Sequence, residues 1–141
     1  MFAAVPLLLF PVLAYNLIAL TLEGGLSAVD ADQHLAARLF TVRMTSHIDW
    51  VVSLGDILLA ASLVVLFIEL LKSTTSRRIA IINHSLSMVL FIVCLVEFLL
   101  APACATSVFF LVTMMVLLDV LAGFIVTIVS ARRDIDFGGD G

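Results

Sequence analysis

Apolar residues fill four nearly unbroken blocks of this chain, approximately Phe2 to Leu22, Trp50 to Leu71, Ile79 to Ala101 and Ser107 to Ser130. Each matches the roughly 20 residues that a helix rising about 1.5 Å per residue needs to cross about 30 Å of hydrocarbon. A strand would need about half that length, the blocks show no polar–apolar alternation, and four segments are too few for a barrel whose minimum is about eight strands. The pattern predicts an all-α, integral membrane four-helix bundle forming a single membrane domain. Pro6 and Pro11 fall in the first block. Pro11 is expected to kink its helix, because it removes a backbone donor and crowds the preceding turn, and Pro6 to sit in the first turn. No Lys or Arg precedes this block and it is longer than the apolar core of a secretory signal, so it reads as a retained span.

Composition agrees. Hydrophobic residues make up 63% of the chain and charged residues 13%, and the mean hydropathy is +1.26, whereas roughly half the residues of a soluble domain are apolar. A net charge of −4 with no basic patch gives no reason to expect a nucleic-acid partner.

The basic residues set an orientation. Lys72, Arg77 and Arg78 cluster in the short connection from Lys72 to Arg78, and Arg132 and Arg133 directly follow the last block. Both sites are expected to be cytoplasmic under the positive-inside rule, which makes the topology N-in/C-in, with a cytoplasmic tail over 131–141. The connection from Glu23 to Asp49 and the turn around Pro102-Ala103-Cys104 then face outward. Within the long outer connection, Asp30 stands three residues before Gln33, with Leu35, Leu39 and Val42 at helical spacing behind it. This predicts a short amphipathic helix capped by Asp30, either a lid or docking surface or, as favoured here, a segment lying on lipid. Ser46-His-Ile-Asp49 repeats the capping spacing just before the second block, and Trp50 stands where an interfacial ring is expected.

Polar residues inside the blocks are the candidates for chemistry. Asp56, Glu97 and Asp119 have no basic residue close by in their own spans, and a carboxylate in hydrocarbon costs roughly 2.5–3.5 kcal/mol. Glu69 lies near a helix end beside Lys72, within reach of the interface. On the third span Asn83, Ser87, Cys94 and Glu97 share one face, with His84 alongside. On the second, Asp49, Ser53, Asp56 and Ala60 form a similar face. On the fourth, Asp119, Ala122, Gly123, Val126 and Ser130 form a face of small residues with one acid. These three faces are expected to meet in the interior, since small residues allow close approach and polar side chains bond across helices. Either the groups pin the helices in register, the favoured reading, or Asp56, Glu97 and Asp119 with His84 or Asn83 form a relay or binding site for a proton or small cation.

Further chemistry is sparse. His34, His47 and His84 are dispersed, no ligand spacing points to a metal, and no cofactor is expected. Cys94 and Cys104 are ten residues apart along one helical direction, too far to bridge. No phosphate loop and no positioned nucleophile is present, so no enzyme is expected. Asp56-Ile-Leu-Leu-Ala weakly echoes Asp119-Val-Leu-Ala-Gly, but the first and third spans carry no matching echo.

At Glu97-Phe-Leu-Leu, Ala105-Thr-Ser-Val-Phe-Phe-Leu, Asp119-Val-Leu-Ala-Gly-Phe and Ser130-Ala-Arg-Arg-Asp, the second half of the chain, from about Asp56 to Asp134, resembles a group of small uncharacterised four-helix inner-membrane proteins of proteobacteria. The resemblance implies a bacterial cytoplasmic membrane and a four-span fold, and brings no activity, cofactor or site with it. With the lipid bilayer as its medium, such a chain has two classes of role open to it. The favoured one is an accessory or scaffold subunit packing against other membrane subunits in a larger complex. The alternative is a small homo-oligomeric transporter or channel for protons or cations that uses the intramembrane carboxyls.

Overall fold

The computed structural model describes residues 5–21, 28–73 and 77–137. In chain order the elements are α1 (Leu9–Thr21), α2 (Ala28–Leu35), the strands β1 (Arg38–Arg43) and β2 (Asp49–Ser53), α3 (Leu54–Ser73), α4 (Arg77–Leu100), a single 3-10 turn (Pro102–Cys104) and α5 (Ser107–Phe137). Among the described residues three helices are long and apolar enough to cross a membrane, over Leu54–Lys72, Ile81–Leu100 and Ser107–Val126. α5 lies against both α3 and α4, and α1 packs on α3 and α5.

The first predicted span differs most from its expectation. α1 has 13 residues, about 20 Å of helix, which is short of the roughly 30 Å of hydrocarbon; the ends of the predicted block, residues 2–4 and Leu22, lie outside the described residues. Pro11 does not kink α1. It stands in the first turn, where its missing N–H has no intrahelical acceptor to lose, while Leu9 N–H and Phe10 N–H close the preceding turns onto Pro6 and Leu7. Leu8, in the turn just before α1, and Val12, Tyr15 and Ala19 within it are buried, spaced four, three and four residues apart as one helical face requires. The Tyr15 and Phe109 rings meet at 4.7 Å between centroids, tilted by 46°.

The outer connection is not purely helical, and the all-α expectation is corrected there. α2 ends at Leu35, and Asp30 lies within its first turn rather than at its cap. Its buried Ala31 and Leu35 face α3 and the 3-10 turn, so it covers the end of the helices. Leu39 and Val42, read as a continuation of that helix, belong to an antiparallel hairpin in which Phe40 pairs with Val52, Val42 with Trp50 and Arg43 with Asp49, Leu39 being the extra residue of a bulge. The runs Leu-Phe-Thr-Val and Trp-Val-Val are β-branched and aromatic, which suits a pleated surface better than a helix. The reversal is closed by His47 N–H donating to Met44 O at 2.9 Å and Met44 N–H donating to Ile48 O at 3.0 Å. His47 sits in the left-handed region at φ 64°, the position after the turn that a three-residue hairpin loop needs.

At its far end α5 continues to Phe137, past residue 130, where the predicted span ends and the tail was expected to begin. After Gly123 the sequence holds no Gly or Pro before Gly138, so nothing breaks the helix at the arginines.

Candidate functional site

α3 turns an unexpected face inward. Gly55, Leu58, Ser62, Leu66 and Glu69 are buried, at spacings of three and four, whereas Asp56 and Ala60 are exposed. Asp56 is therefore not an interior acid. Its carboxylate accepts from Ser53 N–H at 2.9 Å and from the Ser53 hydroxyl at 2.8 Å, and Asp56 N–H donates to Ser53 Oγ at 3.2 Å. This is a reciprocal cap in which Ser53 and Asp56 satisfy each other's first-turn donors. The same Ser-x-x-Asp spacing at Ser46 and Asp49 lies instead in the hairpin, where the strand ladder and the turn already employ the backbone.

The expected polar face of α4 is present. Asn83, His84, Ser87 and Cys94 are buried, and Glu97 is half-buried. Its partner at the Lys72 end is Glu69, which the sequence placed at the interface and which is fully buried. Asn83 Nδ2 donates to Glu69 Oε1 at 2.7 Å. Lys72 Nζ lies 3.4 Å from the same oxygen and donates to Asn83 Oδ1 at 3.2 Å and to Val5 O at 2.9 Å. The other carboxylate oxygen accepts from Leu7 N–H and, at 3.3 Å, from Leu8 N–H. Glu69 thus ties the start of α1, whose first amides have no helical partner, to α3 and α4. One signal for this was available: Ser62 and Glu69 are seven residues apart, two turns along a single face of α3.

Next to this cluster His84 and Asp119 meet across α4 and α5. Asp119 is wholly buried and His84 nearly so, with His84 Nδ1 3.9 Å from Asp119 Oδ1. That separation allows charge contact but not a hydrogen bond. Both imidazole nitrogens and both carboxyl oxygens lack a hydrogen-bond partner. The Ser87 hydroxyl donates to Asn83 O at 3.1 Å. Gly123 lies directly over the imidazole: a Cβ there would fall 1.9 Å from His84 Cγ. At Gly123, then, the small-residue face of α5 serves a contact inside the chain. Outside the pair a groove of about 240 Å³, lined by Ile81, His84, Ser85, Met88, Val120, Gly123, Phe124 and Ile128, separates α4 from α5.

A second polar cluster holds the opposite end. Asn16 Nδ2 donates to Glu97 Oε2 at 3.1 Å and to Val12 O at 3.2 Å. Tyr15 Oη donates to Ala103 O at 2.8 Å and lies 2.6 Å from Thr106 Oγ1. Since the tyrosine proton goes to the carbonyl, the threonine supplies the hydrogen of the second bond. Burial, reinforced by the nearby Glu97 carboxyl, pushes the Cys104 thiol up to about 11; it stays protonated and faces Asn16 Oδ1 at 3.8 Å. Cys94 and Cys104 are both free thiols. The two clusters are separated by a packed layer of Leu66, Leu90, Phe109, Val112 and Val116. In that layer Ser62 and Thr113 hydrogen-bond to carbonyls of their own helices.

The predicted site residues therefore divide three ways. Asn83, His84, Ser87, Asp119 and Gly123 come together near the Lys72 end, Glu97 stands apart with Asn16, and Asp56 caps a helix. Glu69, Tyr15, Asn16 and Thr106 enlarge the polar framework. Among the described residues no group of three or more His, Cys, Asp or Glu is arranged to hold a metal ion. No family model matches the chain, and no match was found among curated proteins or solved structures.

Proposed function

We propose that this chain is an integral membrane accessory or scaffold subunit that packs as a four-helix bundle against a larger complex of the bacterial inner membrane, and that it is not an enzyme. The observation that carries this reading is the closed interior. The acids Glu69 and Glu97 are bonded to other helices of the same chain, which is how polar residues hold membrane helices together, and among the described residues the packed layer between the two clusters holds Ser62 and Thr113 bonded to carbonyls of their own helices. The hairpin lends further support: Phe40, Val42, Met44, Ile48 and Trp50 are exposed on an element whose main tertiary neighbour is α3. Gentle solubilisation of the native membrane should find the chain migrating with a larger assembly of other subunits. Finding it alone, or only with copies of itself, would overturn the proposal.

An N-in/C-in orientation belongs to the same reading, on the strength of Lys72, Arg77, Arg78, Arg132 and Arg133. A reporter fused after Gly141 then reads cytoplasmic, and a cysteine introduced at Ala37 is labelled from outside; an external C-terminus would reverse the assignment. The competing reading, a homo-oligomeric proton or cation transporter, is favoured by one observation, the unpartnered His84 and Asp119. Cation or proton flux through vesicles containing only this chain, abolished by Asp119→Asn, would decide for it.

A further inference from the structure

Every other buried carboxyl, amide and hydroxyl described above has a partner. Glu69, Asn83, Ser62, Ser87, Thr106 and Thr113 each make at least one hydrogen bond, as buried polar groups in folded proteins generally do. His84 and Asp119 make none of regular geometry, although both are buried where α4 packs on α5 and the Ser87 hydroxyl acts on Asp119. A pair retained only to fasten two helices would gain from closing its 3.9 Å gap; left open, it forgoes the bond and still bears the desolvation of both groups. Unsatisfied buried groups of this kind call for an account in terms of function.

The surroundings allow only a small change of charge. With one shared proton the pair is neutral overall, either as imidazole with carboxylic acid or as imidazolium with carboxylate. Adding a proton to it, or removing one, leaves a net charge among apolar side chains. The charged groups that face it come from α3: Glu69 and Lys72 both act on Asp119. On α4 its neighbours are the uncharged Asn83 and Ser87, and on α5 they are Val116, Val120 and Gly123.

Access is one-sided. Lys72 has a side chain that is 21% exposed and is hydrogen-bonded to Asn83, the residue preceding His84. In the other direction each successive turn of α5 from Asp119 presents Val116, Val112 and Phe109, all fully buried. The groove beside His84 is walled mainly by Ile81, Met88, Val120, Phe124 and Ile128, with Ser85 as its other polar side chain, which suits a lipid chain better than a column of water. We propose that His84 and Asp119 form a proton-binding site, reached from the Lys72 end of the helices along Lys72, Glu69 and Asn83 and closed toward the opposite end. Binding forms one O–H or N–H bond with a proton taken from the solvent at that end, and nothing else is consumed. The proposal does not depend on a partner subunit and is tested on the chain alone.

The full chain is reconstituted in phosphatidylcholine vesicles, and two probes are followed between about pH 4 and 10: the infrared carboxyl stretch assigned to Asp119 by its loss in Asp119→Asn, and the nitrogen shifts of the His84 imidazole. The expected result is one transition in this range: in the carboxyl band where the proton rests on Asp119, in the imidazole shifts where it rests on His84, and in both at the same pH where the two residues share it. In His84→Gln, which cannot carry the positive charge that favours the carboxylate, the carboxyl band should persist to a pH higher by about one unit or more. Neither probe changing in this range, two separate transitions for the two residues, or a His84→Gln protein whose carboxyl band titrates as in the wild type would each overturn the proposal. The His84 imidazole shifts are read on the wild-type protein alone, so that arm of the test stands even where a substitution impairs folding.

Discussion

Glu69→Leu is expected to cost about 3–5 kcal/mol, the loss that follows when one partner of a buried, hydrogen-bonded charge pair is removed. The leucine fills the space but leaves Lys72 Nζ, Asn83 Nδ2 and the Leu7 and Leu8 amides without the carboxylate that serves all four. Glu69→Gln should fall between the two, because its single carbonyl oxygen can serve either the α1 amides or Asn83, but not both sets. Reversible unfolding in mixed detergent micelles measures the loss, and amide exchange at Leu7 and Leu8 locates it: the start of α1 should open well before α3 and α4 separate. A Glu69→Leu protein as stable as the wild type, with those amides still protected, would show that the clamp contributes nothing.

Gly123→Ala should lose about 1–3 kcal/mol by overpacking, and Gly123→Leu should prevent α4 and α5 from closing at this level. The added Cβ would meet His84 Cγ, Nδ1 and Cδ2 at 1.9, 2.2 and 2.3 Å. Those atoms belong to a rigid planar ring buried between two helices, so relief requires the whole imidazole to move toward the groove beside it. The decisive comparison is a double-mutant cycle. In a His84→Ala background the ring is gone, and Gly123→Ala should cost at least about 1 kcal/mol less than in the wild type. Strictly additive losses would place the collision elsewhere.

Three long apolar helices, the buried face of α4 and the burial of Asp119 were legible in the sequence because helical periodicity and hydrocarbon length are strong signals. The face of α3 was not. Ser53 and Asp56 drew attention as the polar stripe of a span, yet polarity at a helix start serves the orphan amides of the first turn as readily as a helix interior, and only the register of the preceding strand decides between them. The hairpin escaped for a related reason. Trp50-Val-Val continues without a break into the apolar run of α3, and its turn, Thr45-Ser-His47, lacks the Gly or Asn that usually marks a left-handed residue. Glu69 was misplaced because a carboxylate three residues from a lysine at a helix end normally snorkels to water. Its burial depends on α1 arriving with unsatisfied amides, a tertiary event that one segment does not encode. Asn16 and Tyr15 are of the same kind, since each finds its partner more than eighty residues away.

The passage from hairpin to α3 has a mechanical consequence. β2 ends at Ser53 and α3 begins at Leu54, so no linker residue stands between strand and helix. The backbone there is held three times over: Ser53 N–H by Asp56, Asp56 N–H by Ser53, and Leu54 N–H by Ala37 O at 3.2 Å. A joint without a free φ or ψ does not act as a hinge. A push on the tip of the hairpin is transmitted as a tilt of α3, and because Glu69 lies fifteen residues down that helix, about 22 Å away, the far arm of the lever bears on the charges around Lys72 and Asn83.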